Sequence, residues 1–218
     1  MNMEKKRVVV LISGSGSNMV ALADACAAPD FPAEIVGVIA DKASAGGLAK
    51  AQARGIATFA FERRDFSSKA DHEAAVLAAL AELKPDLVCL AGYMRLLSAA
   101  FIRPYDGRIL NIHPSLLPLF PGLHTHQRAL EAGVRVTGCT VHFVTEGMDE
   151  GPCIAQSVVP VMADDTADTL AARVLTVEHR TYPLALRLVA EGTVRMTAEG
   201  RVERTASTVS AEARLISA

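Results

Sequence analysis

Short, mostly apolar runs alternate with helical patterns over the first half of the chain. The runs lie at residues 8–12, 35–40, 56–61, 87–91 and 109–113. Apolar runs of this length are typical of strands that are buried on both faces of a sheet. The helical patterns lie at residues 17–28, 46–54 and 65–83. Because strands alternate with helices, we predict a parallel, doubly wound sheet with right-handed crossovers.

The pattern changes in the second half of the chain. Residues 138–144 alternate as a strand does, and residues 154–161 form a second predicted strand after a short Gly-rich loop. Two adjacent strands with a short connection predict an antiparallel pair. Helices are predicted at 125–132 and from Asp165 or Thr166 onwards, and a short last strand at 194–196.

The predicted fold class is therefore α/β. We expect a single Rossmann-like, doubly wound domain whose sheet is parallel in the first half and mixed or antiparallel in the second. A chain of 218 residues fits one domain of this kind. We place the domain at residues 1–204 and expect residues 205–218 to form a loosely ordered tail, because that segment is small and polar.

Composition narrows the class of protein. The net charge of -2 gives no electrostatic reason to expect a nucleic acid or an anionic membrane as partner. The four cysteines have no CxxC spacing, so they are expected to be reduced thiols in the core. The apolar run near the N-terminus is too short for a signal sequence, and no other run reaches the length of a membrane span. A cytoplasmic protein is the expectation.

A Ser/Gly turn follows the first predicted strand, at residues 13–18. Its glycines let the backbone approach a ligand closely, and the helix that follows offers free N–H groups to a phosphate. The turn lacks the Lys-Ser/Thr pair of a P-loop, and Met19 interrupts a full GxGxxG motif. A phosphate on a small substrate is the favoured ligand. A plain tight turn and a dinucleotide held by Asp41 remain open.

Asn111 and His113 stand two residues apart at the end of a predicted strand, so both side chains point to the same face. Pro114 follows at once and keeps His113 extended. An amide donor beside a titratable imidazole suits an oxyanion that forms during acyl transfer. The alternatives are a turn-capping Asn111 and a buried, satisfied His113. Doubly wound folds, however, bind ligands at the carboxyl ends of their strands.

Asp149 lies in the Gly-rich loop between the two late strands. It is an ordinary turn residue unless that loop reaches His113, where a carboxylate could orient the imidazole and take up a proton. Taken alone, Glu178 is interpreted as part of a solvated helix face. The side chain of His142 can face either the site or solvent.

His124 and His126 could be two metal ligands, but no third ligand has suitable spacing. We therefore expect no metal.

These residues belong to a larger set of ordered motifs. The motifs are Ile-Ser-Gly-Ser-Gly-Ser-Asn at 12–18, Leu-Ala-Gly-Tyr-Met-Arg-Leu-Leu at 90–97, Leu-Asn-Ile-His-Pro-Ser-Leu-Leu-Pro at 110–118, Pro-Gly-Leu-His-Thr-His at 121–126, Gly-Cys-Thr-Val-His-Phe-Val at 138–144 and Asp-Glu-Gly-Pro at 149–152. Between about Arg7 and Gly192 the chain resembles the phosphoribosylglycinamide formyltransferases, folate-dependent enzymes of purine synthesis and one-carbon metabolism.

The resemblance implies roles for particular residues. The implied catalytic set is Asn111, His113 and Asp149. The implied ligands of the phosphoribosyl amine, glycinamide ribonucleotide, are Gly16, Ser17, Asn18 and Glu178. The implied folate-binding residues are Lys69, Met94, Arg95, Leu96, Leu97, Val144, Thr145, Glu146, Gly147 and Met148. The implied co-substrate is 10-formyltetrahydrofolate, with no metal.

The chain departs from the family pattern at Lys69, where arginine is usual. Lysine keeps the charge but loses the paired donors of arginine, so a folate contact there would lack the bidentate geometry. The family also implies a cis bond between Leu117 and Pro118.

The sequence also has to be weighed against three other functions. A methionyl-tRNA formyltransferase carries a second, RNA-contacting domain, for which these residues leave no room, and the acidic net charge argues against tRNA. A 10-formyltetrahydrofolate hydrolase shares the same three catalytic residues and is the closer alternative. A nucleotide-binding regulatory module would not need His113 and Pro114. A monomer and a homodimer are both compatible with the sequence.

Overall fold

The computed structural model describes residues 4–205, which are built around one seven-stranded sheet in the order β3-β2-β1-β4-β5-β6-β7. The strands are β1 (Lys6–Ile12), β2 (Ala33–Ala40), β3 (Thr58–Ala60), β4 (Leu87–Leu90), β5 (Ile109–His113), β6 (Val136–Phe143) and β7 (Cys153–Pro160). The helices are α1 (Ser17–Cys26), α2 (Gly46–Gln52), α3 (Lys69–Leu83), α4 (Ala99–Ile102), α5 (Thr125–Glu131) and α6 (Ala167–Ala190). A small hairpin of β8 (Val194–Met196) and β9 (Val202–Arg204) follows α6.

The direction of the strands changes where the sequence pattern changes. β1 pairs in parallel with β2 and β4, and β4 pairs in parallel with β5. β6 then runs antiparallel to both β5 and β7. The predicted α/β fold class, parallel first and antiparallel later, is confirmed.

Alternation along β1 explains how the two faces of the sheet are covered. Val8, Val10 and Ile12 belong to the apolar cluster that includes the buried faces of α1 and α6. Val9 and Leu11 belong to the opposite cluster, which includes the buried face of α3. Every one of these five side chains is fully buried. A strand enclosed on both faces must be apolar throughout, which is why β1 shows no alternation in sequence.

Helix α6 is fixed to the sheet by a buried hydroxyl. The Tyr182 hydroxyl lies 3.1 Å from the carbonyl oxygen of Leu90 and 3.0 Å from that of Leu110, so it bonds to both β4 and β5. Burial of a tyrosine is favourable when its hydroxyl finds a partner, and here two backbone acceptors are available. The contact holds α6 beside the strand that carries Asn111 and His113.

Some boundaries differ from the prediction because polar side chains set them. Helix α3 begins at Lys69 rather than at 65, since the Ser68 side chain accepts the Asp71 N–H and caps the helix there. The same kind of cap, from Ser98 to the Phe101 N–H, starts the unpredicted helix α4. Strand β9 was also not predicted. Of the predicted tail, only Thr205 lies within the described residues, so the division at 204 stays a prediction.

The carboxyl ends of β1 and β4 meet where the strand order turns back from β1. Ser13, directly after β1, bonds through its N–H to the Gly92 carbonyl at 3.2 Å, and its hydroxyl accepts the Met94 N–H at 2.8 Å. Open α/β sheets bind their ligands in such a crevice. The Ser/Gly turn and the 90–97 motif are therefore parts of one wall.

A substitution at Gly138 tests the packing of β6 against β7. A Cβ atom at this position would lie 1.8 Å from the Ser157 carbonyl oxygen, which is backbone and cannot rotate away. Gly138→Ala should therefore lower the free energy of unfolding, measured by urea denaturation, by about 1–3 kcal/mol. Gly46→Ala is the matched control, because a Cβ there would meet nothing closer than 4.0 Å. Equal stability of the two variants would contradict the packing described.

Candidate active site

Strand β5 presents Asn111 and His113 on one face, as the alternation predicts. In the antiparallel register, Asn111 stands opposite His142 and His113 stands opposite Thr140, both on β6. Asn111 Nδ2 lies 3.2 Å from His142 Nε2. The His113 and His142 rings are both buried. The side chain of His142 therefore faces the site and not solvent.

Asp149 reaches this pair from the loop between β6 and β7. Its Oδ2 atom lies 3.3 Å from His113 Nδ1, and its Oδ1 atom lies 3.7 Å from His142 Nε2. The Gly122 N–H also donates to Oδ2, at 2.8 Å. The backbone of Asp149 is left-handed, with φ of 58°, which is uncommon for a residue with a side chain. The structure thus brings Asp149 together with Asn111 and His113, which come much earlier in the sequence.

The hydrogen-bond partners of His113 define what its ring can do. Its Nε2 atom lies 3.0 Å from the Phe120 carbonyl oxygen, and its Nδ1 atom faces the Asp149 carboxylate. Both partners are acceptors, so a ring that carries hydrogen on both nitrogens satisfies both. A ring protonated on both nitrogens would place a positive charge beside Asn111, and such a charge stabilises a developing oxyanion.

The loop that supplies the Phe120 carbonyl is held in place by Thr140. The Thr140 hydroxyl donates to the Ser115 carbonyl at 2.7 Å and accepts the Leu117 N–H at 3.0 Å. Gln156 Nε2 donates to the same hydroxyl at 2.9 Å and to the Leu117 carbonyl at 3.0 Å. The Leu117–Pro118 bond within this loop is cis, as the resemblance implies. Strands β6 and β7 therefore set the position of a carbonyl group that the sequence does not reveal.

The Ser/Gly turn leaves the N-terminus of α1 open. Gly16 precedes the helix with φ of 72°, and no side chain caps it, so the first N–H groups of α1 have no intrahelical partner. A Cβ at Gly16 would lie 2.6 Å from the Gly47 Cα atom. Glycine is therefore required at Gly16 both for the backbone angle and for the close packing of α2 against the turn. A turn of this form provides N–H donors and a positive dipole end for an anion.

Glu178 is buried, and its interpretation as a solvated helix face was wrong. Asn18 Nδ2 donates to Glu178 Oε2 at 2.6 Å, and both side chains are more than nine-tenths buried. Burial raises the pKa of Glu178, while the Asn18 hydrogen bond opposes the rise. Helix α6 packs against α1, which turns this position inward. The residue thus joins the Ser/Gly turn to the interior of the site.

A groove of about 530 Å³ runs beside the start of α1. Its polar lining includes Ser17, Lys50 and His179, together with the Asp24–Arg54 ion pair. Lys50 Nζ donates to the Ser15 carbonyl at 2.9 Å, which places a positive charge against the turn. The sequence analysis missed Lys50, because nothing in its own neighbourhood relates it to a turn 35 residues earlier.

Apart from Lys69, which lies on α3, the residues expected to bind folate lie on two loops. Leu97 and Val144 both pack on the apolar cluster that contains the start of β5. Met94, Leu96 and Met148 are exposed, at 67%, 64% and 53%. Large apolar side chains this exposed suit a surface that an apolar ligand covers.

Charged side chains bind the loop at 94–97 and the residue that follows it. Arg95 Nε lies 2.6 Å from Asp41 Oδ2, so the carboxylate that could have held a dinucleotide ribose binds an arginine of the loop instead. Lys69 Nζ lies 3.6 Å from Glu73 Oε1, and the Lys69 side chain remains about half exposed. Glu73 in turn accepts the Ser98 N–H at 3.0 Å. The contact between Lys69 and a folate stays a prediction.

Within residues 4–205, no group of three or more His, Cys, Asp or Glu side chains is arranged to hold a metal ion. No helix there is long and apolar enough to cross a membrane. All four cysteines are free thiols.

Comparisons with known proteins place the chain in a family. The family model described as formyl transferase matches residues 6–186. The phosphoribosylglycinamide formyltransferase of Escherichia coli strain K12 is 47% identical over 189 residues, which cover 87% of this chain and 89% of that protein. The trifunctional purine biosynthetic protein adenosine-3 of Bos taurus is 49% identical over 199 residues, or 91% of this chain. The chain spans only about a fifth of the length of that trifunctional relative, since it covers 20% of it.

Solved structures agree with this placement. A phosphoribosylglycinamide formyltransferase from Brucella melitensis is 70% identical, with a TM-score of 0.83 over 86% of this chain and 96% of that one. A formyltetrahydrofolate deformylase from Pseudomonas syringae shares the fold at a TM-score of 0.86, but it is only 27% identical. The matched region covers 93% of this chain and 67% of the deformylase.

Acid is predicted to destabilise the protein through His142. Burial lowers the pKa of His142 more than the Phe143 carbonyl and Asp149 raise it. The folded state therefore binds fewer protons than the unfolded state, and stability falls as the pH drops below about 6.5. The slope for one group is at most about 1.4 kcal/mol per pH unit. His142→Phe should flatten the pH dependence of the unfolding free energy between about pH 7.5 and 5.5. Identical slopes in both proteins would contradict this assignment.

Proposed function

The chain belongs to the formyl transferase family, and from this premise we propose that it transfers the formyl group of 10-formyltetrahydrofolate to the primary amine of glycinamide ribonucleotide. The products are formylglycinamide ribonucleotide and tetrahydrofolate, as in de novo purine synthesis. The observation that carries the proposal is the cluster of Asn111, His113 and Asp149 at the end of β5. The names and the high coverage of the E. coli and B. melitensis relatives support this choice of substrates.

The nucleophile in this reaction needs little activation. An α-amino group titrates near pH ~8, so a fair share of it is neutral at the pH of a cell. The harder task is the tetrahedral intermediate, in which the formyl oxygen becomes an oxyanion while the attacking nitrogen becomes an ammonium. The site must therefore stabilise a negative charge and then move a proton.

Asn111 and His113 are proposed to stabilise the oxyanion. Asn111 provides a side-chain N–H, and His113 provides positive charge on a ring beside it. The Phe120 carbonyl that accepts from His113 Nε2 is a weaker acceptor than an oxyanion, so the same hydrogen can be given to the intermediate when charge develops. Because the protein already holds the Asn111 amide and the His113 ring in place, only this one hydrogen bond has to change partner during the reaction.

Asp149 is proposed to keep His113 charged and to help move the proton. Its carboxylate faces His113 Nδ1 and is steadied by the Gly122 N–H. The proton that leaves the attacking amine has to reach the departing N10 atom of the folate. A carboxylate at this position can relay it, through water, since general acid–base groups act over one hydrogen bond or one bridging water.

The two substrates are proposed to enter from opposite sides of this cluster. The phosphate of glycinamide ribonucleotide binds the open N–H groups at Gly16, Ser17 and Asn18, and Glu178 receives the ribose hydroxyls. The pterin of the folate lies between residues 94–97 and 144–148. Holding both substrates in place adds a large effective molarity. The proposed chemistry uses 10-formyltetrahydrofolate as a co-substrate and needs no metal.

Hydrolysis of 10-formyltetrahydrofolate is the alternative function. It would use the same three residues with water in place of the amine, and the P. syringae deformylase shares the fold. The much lower identity of that relative and the open Ser/Gly turn favour transfer to a phosphorylated amine. We further infer that the protein works in the cytoplasm without a nucleic acid or membrane partner, as a monomer or a homodimer.

A direct assay separates these functions. The protein is mixed with 10-formyltetrahydrofolate, and tetrahydrofolate is followed with and without glycinamide ribonucleotide. The proposal predicts that tetrahydrofolate forms only with the amine, together with an equal amount of formylated product. Release of free formate at the same rate without the amine would establish the hydrolase instead.

Removal of an oxyanion donor should slow turnover and leave substrate binding nearly unchanged. We expect Asn111→Ala and His113→Ala each to lower kcat roughly a hundredfold, or about 3 kcal/mol. The dissociation constant of glycinamide ribonucleotide, measured by calorimetry, should change little, because its phosphate and ribose bind elsewhere. Gln127→Ala, which removes an amide from the exposed face of α5, is the control and should keep full turnover. Near-full turnover in either site variant would refute the oxyanion assignment.

A further inference from the structure

We propose that His142 is a positioning residue that fixes the direction of the Asn111 side-chain amide. Its neutral ring accepts a hydrogen bond from Asn111 Nδ2, so that an N–H, and not the amide oxygen, faces the formyl group. This inference rests on the proposed function for its kinetic consequence. The geometry that carries it does not depend on any substrate.

The hydrogen-bond partners of the His142 ring select its tautomer. Nδ1 lies 2.8 Å from the Phe143 carbonyl oxygen, which can only accept, so Nδ1 carries the hydrogen. In a neutral imidazole the other nitrogen, Nε2, is then an acceptor. Nε2 lies 3.2 Å from Asn111 Nδ2. The ring is 2% exposed, and water therefore does not compete for this contact.

An acceptor at Nε2 determines which end of the Asn111 amide points toward β6. If the amide were reversed, its oxygen would face the lone pair of Nε2, and neither atom could donate. With the nitrogen in this position, one of its two hydrogens binds His142 and the other remains for the substrate. A reversed amide would instead direct an acceptor toward the oxyanion. The amide orientation that His142 selects therefore decides whether Asn111 stabilises or opposes the oxyanion of the intermediate.

Burial, rather than the charged groups around it, favours the neutral form of the His142 ring. Asp149 Oδ1, at 3.7 Å from Nε2, favours a proton there, whereas the neighbouring His113 disfavours it. The other Asp149 oxygen accepts the Gly122 N–H and faces His113 Nδ1. Burial has the largest effect and lowers the pKa of His142. His142 therefore keeps an acceptor at Nε2 for the Asn111 amide.

Nitrogen-15 NMR of histidine-labelled protein tests the tautomer without any substrate. The His142 signals are assigned by their loss in His142→Phe, or by ring-to-backbone correlation in the wild-type protein if that variant does not fold. At pH 7.5 we expect a protonated Nδ1 and an unprotonated Nε2. A hydrogen on Nε2, alone or together with one on Nδ1, would overturn the proposal. Failure of the proposed function would leave this result unaffected, so the two are distinguishable.

A double-mutant cycle tests whether His142 acts through Asn111. His142→Phe removes the acceptor and keeps a ring of similar shape, so kcat should fall on the order of tenfold with KM for both substrates unchanged within about twofold. In an Asn111→Ala background the same change should cost less than about twofold, because the amide that His142 orients is absent. Losses that multiply in the double variant, or an unchanged kcat in the single one, would overturn the proposal.

His72→Phe is the matched control for the loss of a buried histidine. His72 is 3% exposed, lies on helix α3 rather than on β5 or β6, and bonds through Nε2 to the Phe61 carbonyl at 2.9 Å. Its replacement should lower the melting temperature and leave kcat unchanged. A loss of kcat as large as that in His142→Phe would mean that the effect of the latter is one of stability, which would also count against the proposal.

Discussion

The contact between Asp149 and His113 is the constraint on which the rest of the site depends. It joins the loop after β6 to the end of β5. Asp149 adopts a left-handed backbone to make the contact, and the Gly122 N–H donates to the same carboxylate oxygen. Strain of this kind persists only where surrounding bonds over-determine it. The loop at 114–122 and the loop at 144–152 are therefore held as one unit around the imidazole.

Burial shifts the pKa values of two titratable groups in the site, lowering that of His142 and raising that of Glu178. His113 stands between two acceptors and is the proposed cation, whereas burial lowers the pKa of His142, which is nearly as close to the same carboxylate. Glu178 is also buried, and its pKa is raised, yet it remains tied to Asn18 at the phosphate turn. When their environments push the pKa values of neighbouring groups apart in this way, similar side chains can perform different tasks in one fold.

Much of the fold could be predicted from apolar runs and alternation, because both are local. The same rule placed Asn111 and His113 on one face. The direction of His142 could not be predicted, since it depends on the register between β5 and β6. Glu178 was misread because its burial comes from packing between α6 and α1. The Phe120 carbonyl and the Asp41–Arg95 pair depend on loop geometry, for which a sequence pattern holds no signal.

The single-turnover rate of formyl transfer in Asp149→Asn tests the central claim most directly. This substitution removes the negative charge, keeps the shape of the side chain and leaves an oxygen that can accept the Gly122 N–H. With enzyme in excess and both substrates bound, the rate reports the chemical step alone. The account predicts a fall on the order of a hundredfold or more. A rate within about twofold of the wild type would show that the Asp149–His113 contact is not part of the chemistry.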